Sequence, residues 1–291
     1  MSTEALASVE LHRVEMPLVR PHRAAHGTEA VRELVLVRAE LTSGAVGWGE
    51  CSALARPTYT AEYTSGAWAV LRDLLVPAAL AGERLGVVGH PLAAAGLVTA
   101  VSDAQLRHAG DNLAQVLAGP GDSAPNGLAW CAVVGQVDSI DDLQTVVASR
   151  LEAGAAQVKL KVGTDVGDLA AVEAVRATWP ELTLAVDCNG TADLRSLERL
   201  DRLGLAYIEQ PAPAEALVQS AAWAGTLETP IALDESITST GAMDVAVALA
   251  AGSIVNIKPG RLGGPQAGAR ALDHAHTCGL RAFVGGMVES G

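Results

Sequence analysis

Val158-Lys159-Leu160-Lys161, Val186-Asp187, Ile208-Glu209, Leu233-Asp234 and Asn256-Ile257-Lys258 are five short apolar runs, each ending on a charged residue. The charges Lys161, Asp187, Glu209, Asp234 and Lys258 follow one another at separations of 26, 22, 25 and 24 residues. One strand and one crossover helix fit each interval, which is the spacing of parallel strands in an α/β fold. Such strand ends gather at one mouth of a (β/α) barrel, the face where loops assemble a site from several strands. Strands are expected at Cys131–Val134, Val158–Val162, Leu184–Asp187, Ala206–Glu209, Ile231–Asp234, Ile254–Lys258 and Arg281–Val284, with helices between them. Strand side chains alternate with period two, so Lys159 shares a side with Lys161, and Asn256 with Lys258.

Upstream the pattern differs. Ser8–Leu18 and Arg32–Glu40 partly alternate polar and apolar residues, as antiparallel strands of a hairpin would. Val19-Arg20-Pro21-His22-Arg23-Ala24-Ala25-His26-Gly27-Thr28 reads as a basic loop between them, either solvated or meeting an anionic ligand. The Ala- and Leu-rich segments Thr60–Leu80 and Pro91–Leu117 read as helices, and Gly119-Pro120-Gly121-Asp122 as the turn where the pattern changes. The organisation expected is an α+β capping domain over residues 1–120 and a (β/α) barrel domain over 121–291. Seven strands leave that barrel one βα unit short, so the reading is of a barrel truncated after strand 7.

Composition narrows the function classes. Of 291 residues, 49% are hydrophobic and 3% aromatic, with Phe283 the single Phe, so a large core must be built from Leu, Val, Ile and Ala. The net charge of -13 disfavours nucleic acid and anionic membranes as partners. The partners expected are a small-molecule carboxylate and, at most, further copies of the same chain. Cys51, Cys131, Cys188 and Cys278 form no CxxC pair, which implies neither a disulfide framework nor a thiolate zinc site and suits a reducing, cytoplasmic setting. His22, His26, His90, His108, His274 and His276 show no ligand cluster, and 274 and 276 do not share a helical face, so all are read as surface or packing residues. Gly260, Gly263 and Gly264 lack the lysine and hydroxyl of a phosphate loop.

Lys159, Lys161 and Lys258 are the only lysines against 17 arginines, an uneven use that singles these positions out. Asp187, Glu209 and Asp234 could each cap the helix after its strand. Capping leaves the lysines unexplained. Three carboxylates sharing a pocket of low polarity need a cation to offset their repulsion, and oxygen-only ligands favour Mg²⁺, or Mn²⁺, over Zn²⁺. Lys161 and Lys258 then flank the metal from opposite sides, where an amine can act as general base. Removal of a proton α to a carboxylate is the chemistry such a set supports, with the metal offsetting charge on the carboxylate oxygens.

The runs Val158-Lys159-Leu160-Lys161, Val186-Asp187-Cys188-Asn189, Ile208-Glu209-Gln210-Pro211, Leu233-Asp234-Glu235-Ser236 and Asn256-Ile257-Lys258-Pro259-Gly260-Arg261 together resemble the muconate-lactonizing-like branch of the enolase superfamily. Gly47-Trp48-Gly49-Glu50-Cys51 and Gly285-Gly286-Met287-Val288-Glu289 extend the resemblance over nearly the whole chain. Within the branch it is most similar to o-succinylbenzoate synthases and their N-succinylamino-acid (N-acylamino-acid) racemase relatives. The resemblance implies an enolase-like barrel in which Asp187, Glu209 and Asp234 bind Mg²⁺. It implies that Lys161 is base and then acid in a syn dehydration, with Lys258 stabilising the enolate. The implied substrate is 2-succinyl-6-hydroxy-2,4-cyclohexadiene-1-carboxylate, dehydrated to 2-succinylbenzoate for menaquinone biosynthesis. In racemisation Lys161 and Lys258 would instead exchange protons on opposite faces, and Arg261 resembles an arginine of racemase-capable members. Lys159 is expected at the substrate carboxylate, Asn189 and Glu235 behind the ligands, and Gly285 and Gly286 where backbone meets the succinyl group. Dipeptide epimerases and cycloisomerases would share the five charges, and an inactive barrel used as a binding scaffold would share the fold.

Overall fold

The computed structural model describes residues 4–24, 27–83, 86–118, 127–163 and 166–290. Its N-terminal part is an antiparallel sheet of order β1-β2-β3, with β1 Leu6–Ala24, β2 Gly27–Leu41 and β3 Val46–Cys51. Alternation in β2 puts Val35, Val37 and Ala39 on one buried face, where they join Cys51, Leu71, Leu92 and Leu97 in a core. Four helical segments follow: α1 Thr64–Val70, running through a π turn at Leu71–Leu75 into α2 Val76–Leu80, then α3 Pro91–Ala109 and α4 Leu113–Ala118. Gly110 ends α3 in the left-handed conformation, φ 73°, the usual glycine stop.

Two expectations change here. The basic segment from Val19 is not a loop: pairing lapses after Pro17↔Val31 and resumes at His22↔Glu29, carrying the ladder to Ala24↔Gly27. Pro17 and Pro21, which have no N–H to give, bracket the lapse. Ala25 and His26, like the Gly119–Asp122 turn, lie outside the described residues. The second change is β3, which the sequence does not announce because Gly47 and Gly49 depress strand propensity. Their role is spatial: a Cβ at Gly47 would sit 2.1 Å from the Ala104 nitrogen, and one at Gly49 2.1 Å from the Gly96 oxygen. Helix α3 lies directly on the bare strand.

The second part is a curled sheet of seven parallel strands, a half-barrel, in the order β10-β9-β8-β7-β6-β5-β4. The strands are β4 Cys131–Val134, β5 Gln157–Lys161, β6 Leu184–Asp187, β7 Ile208–Glu209, β8 Ile231–Leu233, β9 Ile254–Ile257 and β10 Arg281–Val284. All seven expected strands are present. Helices α5 Ile140–Glu152, α6 Val166–Thr178, α7 Leu194–Leu200, α8 Leu217–Ala224 and α9 Thr240–Leu249 alternate with them, and a short α10 Pro259–Leu262 precedes α11 Pro265–Thr277. Ser139, Asp193 and Ser239 start α5, α7 and α9 by accepting a backbone N–H three residues on. Strands β6, β8 and β9 are buried along their whole length, so they read as unbroken apolar runs. Among the described residues β4 pairs with β5 alone and β10 with β9 alone.

The two parts meet along a seam held by buried polar groups. The Arg32 guanidinium on β2 donates to the carbonyls of Ser52, Ala53 (3.1 Å), Glu33 (2.8 Å), Val288 (3.1 Å) and Met287 (3.3 Å). It thereby ties the N-terminal sheet to the segment after β10. Inside the N-terminal part, the Glu62 carboxylate accepts the N–H groups of Leu92 (2.7 Å) and Ala93 (3.0 Å), two of the donors that the first turn of α3 leaves free. Among the described residues no helix is long and apolar enough to cross a membrane.

Candidate active site

Parallel register sets the site. Lys161 pairs with Asp187 and Asp187 with Glu209, so β5, β6 and β7 deliver three charges side by side at their C-terminal ends. Asp234 is the first residue beyond β8, and Lys258, beyond β9, precedes the first turn of α10. The backbone turns sharply behind them: Asn189 (φ 44°) and Gln210 (φ 39°) are left-handed without being glycine, a strained geometry that recurs at functional sites. Gln210 holds its turn by accepting the Asp234 N–H at 2.9 Å and donating to Ser236 Oγ at 2.8 Å.

Each carboxylate faces an ammonium. Lys161 Nζ donates to Asp187 Oδ2 at 2.8 Å and to Asn189 Oδ1 at 3.0 Å. Lys159 Nζ donates to Glu209 Oε2 at 2.6 Å and lies 5.5 Å from the Phe283 ring centre, while Asn256 Nδ2 takes Glu209 Oε1 at 3.0 Å. Lys258 Nζ reaches Asp234 Oδ2 at 2.8 Å, and Arg261 Nη2 reaches Asp234 Oδ1 at 2.7 Å. Asn189 Nδ2 also donates to Glu235 Oε1 at 3.0 Å. The expected residues Lys159, Lys161, Asp187, Asn189, Glu209, Asp234, Glu235, Lys258 and Arg261 are thus joined into one array. Gly285 belongs to it by contact, since a Cβ there would strike Asn256 Oδ1 at 2.3 Å. Gly286 instead abuts Glu289, at 2.7 Å from a Cβ to Oε2.

Burial and neighbouring charge pull these groups apart in acidity. Burial raises the Glu209 pKa, with Lys159 opposing and the Asp187 and Asp234 charges adding to the rise. Burial works the same way on Asp234, yet Lys258 and Arg261 outweigh it and hold that carboxyl below its ordinary value. Burial alone would lower Lys159, but Glu209 and Asp187 keep its ammonium above the usual lysine range. Glu235 is raised by burial and then by Asp234 and Asp187, and its Oε2 is buried with no hydrogen-bond partner among the described residues.

The donor set fits a hard divalent cation: three carboxylates from adjacent strands, oxygen only, with a further buried carboxylate oxygen unsatisfied beside them. Their oxygens do not all lie within 4.8 Å of one another in this arrangement, each being turned toward a lysine or arginine. Lys161 and Lys258 side chains keep 12% and 10% of their surface exposed, so both can reach a ligand, whereas Glu209 keeps none. A cavity of about 310 Å³, lined in part by Val134, Gln136, Leu160, Lys161 and Asp168, opens beside Lys161. A larger groove of about 450 Å³ lies on the N-terminal part among Leu6, Leu80, Leu97 and Val101, and none of the strand-end charges lines it.

One member of the array carries no mark in the sequence. Tyr59, in the irregular segment after β3, places its hydroxyl 2.6 Å from Lys258 Nζ and 3.1 Å from Asp234 Oδ2, with its ring 4.9 Å from Nζ. Non-periodic loops give pattern reasoning nothing to hold, and this contact spans 199 residues. A second miss concerns His274. It was expected to be a packing or surface residue, but its Nε2 lies 2.7 Å from Asp244 Oδ1 and 3.6 Å from Cys278 Sγ. Inspecting histidine pairs alone hides a cluster whose members differ in type and sit on two helices.

The family described as "Enolase C-terminal domain-like" matches residues 142–291. The chain is 42% identical to an N-succinylamino acid racemase from Amycolatopsis sp, over 98% of this chain and 80% of that protein. It is 31% identical to the o-succinylbenzoate synthase of Bacillus subtilis, over 98% and 79%. Among solved structures it superposes with a TM-score of 0.90 on a muconate lactonizing enzyme from Pseudomonas fluorescens complexed with muconolactone, at 25% identity, covering 99% of this chain and 81% of that one.

Proposed function

This chain belongs to the enolase superfamily, and from that premise we propose that it removes a proton α to a carboxylate. The reaction proposed is the syn dehydration of 2-succinyl-6-hydroxy-2,4-cyclohexadiene-1-carboxylate to 2-succinylbenzoate, a step of menaquinone biosynthesis. The observation that carries the reading is the placement of Lys161 and Lys258 on the first and last of five neighbouring strand ends, with the three carboxylates between them. Asp187, Glu209 and Asp234 would hold Mg²⁺, with Mn²⁺ as substitute. Held there, the metal supplies the positive charge that makes an α proton removable.

Lys161 takes the α proton on Nζ, and the electron pair left on carbon expels the hydroxyl β to it. The same ammonium returns the proton to that hydroxyl, so water leaves on the face from which the proton came. Asn189 Oδ1 fixes Nζ during both transfers. Lys159 stays cationic against Glu209, two residues before Lys161 on the same strand. Lys258, steadied by Tyr59, faces the developing negative charge from the other side. Arg261 acts through Asp234, as a positioning residue.

A second reading rests on the same lysines. Racemisation needs a donor on the face opposite the base, which is where Lys258 stands, and the relative at 42% identity is an N-succinylamino acid racemase. In that reaction Lys161 and Lys258 exchange base and acid roles between the two hands of an N-succinylamino acid. Residues 1–120 serve as a cap that lends Tyr59 to the barrel of residues 121–291, and the free thiols Cys51, Cys131, Cys188 and Cys278 suit a cytoplasmic enzyme. Assaying one Mg²⁺-loaded preparation on both substrates tests the reading. Formation of 2-succinylbenzoate supports the dehydratase, and racemisation with no dehydration transfers the function to the second reading. A folded protein that turns over neither is an inactive scaffold.

A further inference from the structure

We propose that Asp244, His274 and Cys278 form a second metal site, for a borderline-soft divalent cation of the Zn²⁺ type, on the outer helices of the half-barrel. The site is independent of the chemistry proposed for the strand ends. His274 and Cys278 are four residues apart, so they share one face of α11 and its end, and Asp244 meets them from α9. One donor atom from each lies within 4.8 Å of the other two, and among the described residues no other three His, Cys, Asp or Glu side chains meet in this way.

The geometry matches a tetrahedral ion. Bonds of about 2.3 Å to sulfur and about 2.05 Å to nitrogen separate the two donors by about 3.6 Å, and Cys278 Sγ stands 3.6 Å from His274 Nε2. Asp244 Oδ1, now 2.7 Å from the same nitrogen, must withdraw by about 0.6 Å, which an exposed carboxylate can do by rotation. Carboxylate and thiol both address Nε2, so all three donors converge on one point. Sulfur and nitrogen donors select against Mg²⁺, which separates this site from the three carboxylates. Cys278 caps the C-terminal end of α11, where the helix dipole favours a cation. It also lies just before β10, at the end of the sheet opposite the strand-end array. Three protein donors leave one position for water, and a bound ion would clip α9 to α11.

Cobalt(II) titrated into the full chain, with Mg²⁺ in excess, tests this by optical absorption. The expected result is one equivalent giving a near-ultraviolet cobalt–thiolate band that Zn²⁺ abolishes. Cys278→Ser and His274→Gln lose the band, whereas Cys131→Ser, which removes the other partly exposed thiol, keeps it. Zn²⁺ should raise the melting temperature of the wild type and not that of Cys278→Ser, whose own melt in Mg²⁺ alone reports that it folds. No thiolate band in the wild type, or a band that survives Cys278→Ser, overturns the proposal.

Discussion

The strand-end array and the seam both bury charge, but they satisfy it differently. At the strand ends Asp187, Glu209 and Asp234 are paired with side chains that are themselves charged, Lys161, Lys159 and Lys258. At the seam Arg32 bonds to five backbone carbonyls, and within the N-terminal part Glu62 bonds to two backbone N–H groups. Ammonium and carboxylate on separate strands can part when a ligand offers a better partner to each. Backbone groups cannot move away without unfolding what they belong to. The first arrangement is suited to exchange of partners, and the second to holding two layers in one geometry.

Substitutions can break that contrast. Lys258→Ala should abolish racemisation of an N-succinylamino acid by about 10²–10⁴-fold, the usual share of a general acid or base, measured by polarimetry, while the melting temperature stays close to wild type. A large loss of stability would make Lys258 a structural charge like Arg32. Arg32→Leu should do the reverse, costing about 3 kcal/mol of stability because buried carbonyls lose their donor, read from urea unfolding. Ala53 O keeps one partner in Thr64 Oγ1, which limits the cost. Unchanged stability would remove the seam from the account.

Smaller effects sharpen the boundary between the regions. Tyr59 belongs to the N-terminal part by chain and to the strand ends by contact, so Tyr59→Phe should lower kcat/KM about tenfold, the worth of one hydrogen bond to a charged group. Steady-state kinetics with unchanged melting would confirm its side of the divide. Glu62 gives the smallest effect. Burial raises its pKa, only partly offset by the Leu92 and Ala93 N–H groups and by His90. A raised carboxyl ionises less readily in the folded chain, so stability falls as pH rises from the ordinary glutamate value to the raised one, then levels. Glu62→Gln should flatten that slope in denaturation curves taken across the acid range, and an unchanged slope would assign it to other groups.

The barrel was legible because its signals are local. Asp187 and Glu209 end adjacent strands 22 residues apart and meet in register, and lysine parity within β5 follows from two-residue periodicity. The rest depends on packing across long separations. Arg32 meets Val288 across 256 residues and Tyr59 meets Asp234 across 175, distances over which no periodicity survives. Strand β3 was not foreseen, because Gly47 and Gly49 weaken the strand pattern in sequence, whereas here the missing side chains make room for α3. Asp244, His274 and Cys278 escaped because two helices had to be docked before their donors met.

The most direct test is formation of 2-succinylbenzoate from 2-succinyl-6-hydroxy-2,4-cyclohexadiene-1-carboxylate, followed with Mg²⁺ for the wild type and for Lys161→Ala matched in melting temperature. With Lys161 as the base that takes the α proton, the wild type makes product and the variant is slower by about 10²–10⁴-fold. Lys161→Ala working at the wild-type rate would contradict the assignment of Lys161 and, with it, the chemistry proposed for the strand ends.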